Sequence, residues 1–168
     1  MKRILTFIAA AVGLAGTSYA QPHFVIGSAD VAAPVGWSEA KKEDDRLTLQ
    51  SSDGRQYATI SIMRFGADAS FEDFKRLCQL RLEAEKKDSP NCFIQSEAPY
   101  DIKGKFGMFY SGGVKKTGRV FSGYLTLTKR ELVTIYVEGL GIAPKDHLQT
   151  FQTFVEGLKK NEDRPTRQ

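Results

Sequence analysis

Apolar residues recur along the chain with two different periods, and the switch between them predicts an order of elements. Leu47-Thr48-Leu49 alternates as a strand does, and Ser51-Ser52-Asp53-Gly54 is turn chemistry. Tyr57 to Met63 alternates again, with Ala58, Ile60 and Ile62 on one side and Tyr57, Thr59 and Ser61 on the other. Alternating runs either side of an Asp-Gly pair predict a hairpin with one buried face. From Ser70 the period lengthens. Phe71, Phe74, Cys78 and Leu82 return at helical spacing, while Arg76, Arg81, Glu83, Lys86 and Lys87 can face water. The Ser70 hydroxyl can cap the first turn and Asp73 can return the bond, and Ser89-Pro90-Asn91 ends the helix.

A strand-rich region follows. Cys92 to Gln95 is short. Phe106 to Val114 sets Phe106, Met108 and Tyr110 against Gly107, Phe109 and Ser111. Arg119 to Thr128 carries Phe121, Gly123, Leu125 and Leu127 on one face, and Leu132 to Glu138 points Val133, Ile135 and Val137 inward. Short turns between these runs predict an antiparallel meander. Pro144 opens a second helix, with Leu148, Phe151, Val155 and Leu158 as its apolar stripe and Phe154 widening it. The expected class is therefore α+β: an antiparallel β-sheet with helices packed on it, in the order hairpin, helix, meander, helix. Ahead of the hairpin, Pro34-Val35-Gly36 is a turn and Trp37 a core anchor. The stretch from Gln21 to Pro34 is weakly patterned and reads as a short strand or loose arm.

Taken together, these features resemble the PsbP-like superfamily. The Pro-x-Gly-Trp opening stands here as Pro34 to Trp37, and a glycine followed by an alternating strand as Gly54 to Met63. The meander ends in the apolar strand Leu132 to Val137 and a helix carrying Phe151 and Phe154. The resemblance spans residues 30 to 160 and implies a PsbP-like α/β sandwich. Members include the DcrB-like bacterial envelope proteins. Because the superfamily has no common catalytic site, the resemblance implies a binding or accessory module, and no functional residue carries over by position.

The ends of the chain change the picture. Met1-Lys2-Arg3 is a short positive region, and Ile4 to Leu14 is apolar apart from Thr6 and Gly13. That run is shorter than the about 20 residues a membrane-spanning helix needs. Ser18-Tyr19-Ala20 then places small residues where a signal peptidase reads, so residues 1–20 are a signal peptide cut between Ala20 and Gln21. The expected product is one domain, 21–160, with a polar disordered tail, 161–168, and no later membrane-spanning segment. It is expected to be periplasmic or secreted. Loss of Lys2 and Arg3 lowers the formal net charge from +4 to +2, and without clustering such a charge indicates no nucleic-acid partner. Cys78 and Cys92, both beyond the cut, are expected to pair as a disulfide in an oxidising compartment.

Candidate chemistry is sparse. His23 would stand third in the processed chain, where amino-terminal copper sites form, but Pro22 lacks the amide such sites use. His147 reads as an exposed first-turn residue. No Gly-x-Ser-x-Gly elbow is present, and Gly112 to Gly118 departs from a phosphate loop because Lys115 stands where a glycine must. Glu43-Asp44-Asp45 and Glu72-Asp73 read as a solvated loop and a helix start. No cofactor is expected. Lys103, Lys105, Lys115, Lys116 and Arg119 are expected to gather around one hairpin as a patch for an anionic or protein partner. The leading expectation is a non-enzymatic binding protein of the cell envelope, acting through an envelope protein or an anionic envelope component. Alternatives are an immunity or inhibitor protein against an envelope-targeted toxin and a small hydrolase with an unrecognised site. Amino-terminal sequencing of exported protein tests the cleavage directly: the reading predicts Gln21 first, and a chain beginning at Met1 would contradict it.

Overall fold

The structure is a computed structural model that describes residues 20–127 and 130–160. The expected signal peptide, through Tyr19, and the expected tail from 161 onward lie outside the described residues. The elements are β1 (His23–Ile26), β2 (Ala29–Ala32), β3 (Trp37–Lys42), β4 (Arg46–Ser51), β5 (Gln56–Arg64), α1 (Phe71–Asp88), β6 (Phe93–Ser96) and β7 (Tyr100–Ile102). They continue as β8 (Lys105–Val114), β9 (Arg119–Leu127), β10 (Glu131–Leu140), α2 (Pro144–Glu156) and β11 (Leu158–Lys160).

The main sheet is antiparallel and runs β3-β4-β5-β10-β9-β8-β6, with β7 also on β8. The expected hairpin β4–β5 and meander β8–β9–β10 are both present and are joined by β5 pairing with β10, Ile60 opposite Ile135. The fold is α+β, as the order of periods implies. Further strands outside that expectation extend it. The weakly patterned segment before Trp37 forms the hairpin β1–β2. Leu158, assigned above to a helical stripe, instead opens β11, which pairs with β2 in a second, small sheet. β3 forms the lysine-bearing edge of the main sheet and carries a register shift between Glu39 and Lys41, two devices that discourage pairing with another chain.

The sheet's two faces are covered unequally. On one face, Leu47, Leu49, Ala58, Ile60, Val133, Ile135 and Val137 form one core with Phe151 and Phe154 of α2 and with Ile26, Ala29 and Val31 of the small sheet. Trp37 is buried there, edge-on to Phe154 with ring centroids 4.9 Å apart. The other face has a smaller core: Phe74 and Cys78 of α1 with Met108, Tyr110, Phe121, Leu125, Leu127 and Leu132. Every sheet residue in that core belongs to β8, β9 or β10. The helix begins as expected, with Ser70 and Asp73 forming a reciprocal capping box.

Close packing under α1 depends on glycines placed opposite aromatic rings. Gly123 is the cross-strand partner of Tyr110, and Gly112 that of Phe121. A methyl group on Gly123 would run into the Tyr110 ring, and one on Gly112 would meet Phe121 and the Phe93 carbonyl. Each ring lies across the bare backbone of its partner strand, which lets two large side chains share one sheet face beneath the helix.

Candidate binding surface

The face of the main sheet that α1 leaves open is polar because of strand alternation. In β5 the residues between Ala58, Ile60 and Ile62 must point away from the larger core, and these are Tyr57, Thr59, Ser61 and Met63. Their partners in register are Gln50, Thr48 and Arg46 on β4, and Glu138, Tyr136, Thr134 and Leu132 on β10. Leu132 and Tyr136 pack into the core under α1, and the rest form a shelf of mainly hydroxyl and amide side chains on β4 and β5 with Thr134 of β10. Tyr57 and Met63 are well exposed on it, and Gln50 donates to the Tyr57 hydroxyl at 2.9 Å. At one end it deepens into an open pocket of about 360 Å3, lined by Asp45, Arg46, Ser61, Ile62, Met63, Arg64, Leu132 and Thr134. Arg64 is fixed by Glu131 at 3.2 Å, and Glu131 also accepts from Ser28 of the β1–β2 turn.

The wall between this shelf and α1 is a charged cluster that the pattern of apolar residues did not reveal. Glu85 of α1 is buried and accepts hydrogen bonds from Arg81 and, at 3.3 Å, from the Tyr110 hydroxyl. Arg81, expected to face water, instead donates to that hydroxyl at 3.0 Å and lies over the Tyr136 ring. Arg119 donates to Glu138 at 3.0 and 3.1 Å, to the Tyr136 hydroxyl at 2.5 Å and to Ser89 at the end of α1 at 2.8 Å. Burial pushes the Tyr110 and Tyr136 phenols well above their ordinary range, and the Glu85 carboxylate raises both further. Both phenols therefore stay neutral at physiological pH and remain donors to carboxylates.

The disulfide expected between Cys78 and Cys92 is not formed in this structure: both are free thiols. Cys78 lies on the buried stripe midway along α1, whereas the Cys92 thiol faces the Glu85 carbonyl at 4.0 Å. Seven helical residues separate those levels, about 10 Å along the axis, beyond the reach of a disulfide. Burial pushes the Cys78 thiol up to about 12, so it is chemically inert.

The lysines do not gather as expected. Lys103 and Gly104 both have positive φ, 54° and 76°, and make the tight β7–β8 turn. Lys105 opens β8, whereas Lys115 and Lys116 follow its far end. A strand of ten residues sets the two groups about 30 Å apart. Arg119 stands with the second group but is engaged by Glu138, Tyr136 and Ser89. His23 lies on β1 with Nδ1 3.0 Å from Asp30. Among the described residues no three His, Cys, Asp or Glu side chains converge as metal ligands.

His147 also departs from expectation. It is 3% exposed, taking the place on α2 that the stripe assigned to Leu148, which is 38% exposed. Phe151 and Phe154 are buried as expected, and His147, one turn before Phe151, shares their face. Nε2 lies 3.1 Å from the Ser122 hydroxyl of β9, and Nδ1 has no hydrogen-bond partner. A serine and an imidazole in contact are the nucleophile and base of a catalytic triad. Here both are buried between α2 and the sheet, and among the described residues Nδ1 has no orienting partner.

No protein-family model matches the sequence, and no curated protein matches it. The fold does match solved structures. The solution structure of cyanobacterial PsbP (CyanoP) from Synechocystis sp. PCC 6803 aligns over 86% of this chain and 95% of its own, with a TM-score of 0.63 and 12% identity. The chain has a PsbP-like fold. A crystal structure from Bacteroides thetaiotaomicron VPI-5482 aligns over 89% of this chain, with a TM-score of 0.55 and 12% identity; this chain spans about half of that one, 51%. At such identity the PsbP-like fold is what is shared, and the side chains of the shelf and of the charged wall must be argued from this chain alone.

Burial of His147 has a measurable consequence. Desolvation lowers its pKa from 6.5 to about 4, so between those values the unfolded chain binds more protons than the folded one. The stability tied to neutral His147 is complete above about pH 6.5 and falls by up to about 3 kcal/mol as the pH drops through about 4. Urea unfolding at about pH 7 and about pH 4.5 should show a larger acid loss for the natural protein than for His147→Gln. Equal losses would contradict this assignment.

Proposed function

We propose that this chain is an exported, non-enzymatic binding protein of the cell envelope that engages its partner through the open shelf of β4, β5 and β10. The observation that carries the reading is the uncovered half-face itself. The second core draws its sheet residues from β8, β9 and β10, which leaves a polar surface backed by one rigid sheet and ending in a pocket. Side chains standing on strands of a packed sheet are held in place, so a partner meets them without an ordering cost.

Two further points support the reading. The first described strand begins at His23, and Ala33 donates to the Pro22 carbonyl at 2.9 Å, so the residues just after the expected cut are tied into the fold. No helix among the described residues is long and apolar enough to cross a membrane. The PsbP-like resemblance points the same way, toward an accessory role.

The test is capture from envelope extract with the processed chain as bait. Thr59→Lys/Thr134→Lys places two bulky charges on the shelf and should lose the partner retained by the natural protein. Gln79→Lys, on the exposed side of α1, should keep it. Retention of the same partner by the shelf variant would exclude the shelf as the binding surface.

A further inference from the structure

One end of the main sheet combines exposed aliphatic side chains with a ring of cations. Hydrogen bonds tie its loops into one rim. Leu140 donates its amide to the Arg55 carbonyl at 3.1 Å, and Gly141 donates to the Gly118 carbonyl at 3.1 Å. The Arg55 guanidinium donates to the Gly141 carbonyl, and Arg119 links the start of β9 to Ser89 at the end of α1. Gly36, in the β2–β3 turn, packs against Ser52 of the β4–β5 turn.

Two aliphatic side chains stand out from this rim, Val35 at 61% and Leu140 at 60% exposure. Around them stand Arg55, Lys115 and Lys116, with Lys86 and Lys87 in the last turn of α1, all exposed. The exposed acids nearby are Asp53, Asp88 and Asp146; Asp53 is occupied by Ser51 and the Arg55 amide, and Asp146 follows the exposed Lys145 in the first turn of α2. A processed chain of small net charge thus concentrates its positive charge at one end.

We propose that this rim docks the protein on an anionic lipid surface, with the lysines facing head groups and Val35 and Leu140 entering the interface. The favoured partner is a bilayer and not an acidic protein because the two large aliphatics stand on separate segments, Val35 in the β2–β3 turn and Leu140 at the last position of β10. A protein interface buries a contiguous, densely packed centre, whereas a membrane accepts isolated apolar tips flanked by cations. This role is separate from the shelf, which faces sideways from the sheet and stays free in a docked molecule.

Flotation of the exported, processed protein with vesicles tests the proposal. At low salt it should float with phosphatidylcholine vesicles containing phosphatidylglycerol and not with phosphatidylcholine alone, and added salt should release it. Lys115→Glu/Lys116→Glu should weaken binding by about tenfold or more, given the effect of each cation near an anionic surface. Val35→Ser/Leu140→Ser should also weaken it, while Lys103→Glu/Lys105→Glu, at the far end of β8, should leave it largely intact. The proposal is overturned if the natural protein ignores anionic vesicles, if the rim variants bind undiminished, or if the far-end variant loses as much. Capture of an acidic protein through the rim without vesicle binding would overturn it too.

Discussion

The position of α1 on the sheet decides what the rest of the molecule can do. An eighteen-residue helix is about 27 Å long and about 10 Å wide, too narrow to cover a sheet of this breadth. It must choose a half. The apolar stripe of Phe74 and Cys78 selects β8 and β9, where Met108, Tyr110, Phe121, Leu125 and Leu127 face it. The charged cluster then fixes the choice. Glu85 is buried among Arg81 and Tyr110, and Arg119 binds Ser89, so the C-terminal half of the helix is tied to β8 and β9 by directional bonds. A buried carboxylate left without these partners would cost several kcal/mol, which penalises sliding of the helix toward β5.

The opposite face shows the alternative. There α2 and the small sheet divide the work, and β4, β5 and β10 bury a continuous run of Leu, Ile and Val. β5 can alternate cleanly because one of its faces is filled and the other is free. β9 is buried on both faces, so that Ser122 and Thr126 are as enclosed as Phe121 and Leu125. The contrast between these two strands marks where covered sheet ends and open shelf begins.

Much of this was legible in residue order. The period-two run in β5, the capped helical stripe from Ser70 and the Trp37 anchor all depend on local spacing, and each stands where that spacing puts it. What escaped depends on partners distant in sequence. β1–β2 is short and finds its third strand in β11, more than a hundred residues later. Arg81 and Glu85 resemble solvent-facing residues because the groups that enclose their ion pair, Tyr110 and Tyr136, come from distant strands. His147 entered the core one turn before Phe151, and Leu148, an equally plausible apolar neighbour, concealed it. The lysines near the β8–β9 hairpin looked adjacent because a ten-residue strand is short in sequence and long in space.

The central claim is that α1 seals one half of its face and leaves the other half open, and thiol accessibility measures this in one molecule. In a Cys92→Ser background, Ser61→Cys puts a thiol in the shelf pocket, while the natural Cys78 lies beneath α1 as an internal reference. Under native conditions the account predicts rapid alkylation at position 61 and none at Cys78 until the protein unfolds. Equal protection of both thiols would mean that the shelf is covered, and equal reactivity that α1 does not seal the half assigned to it.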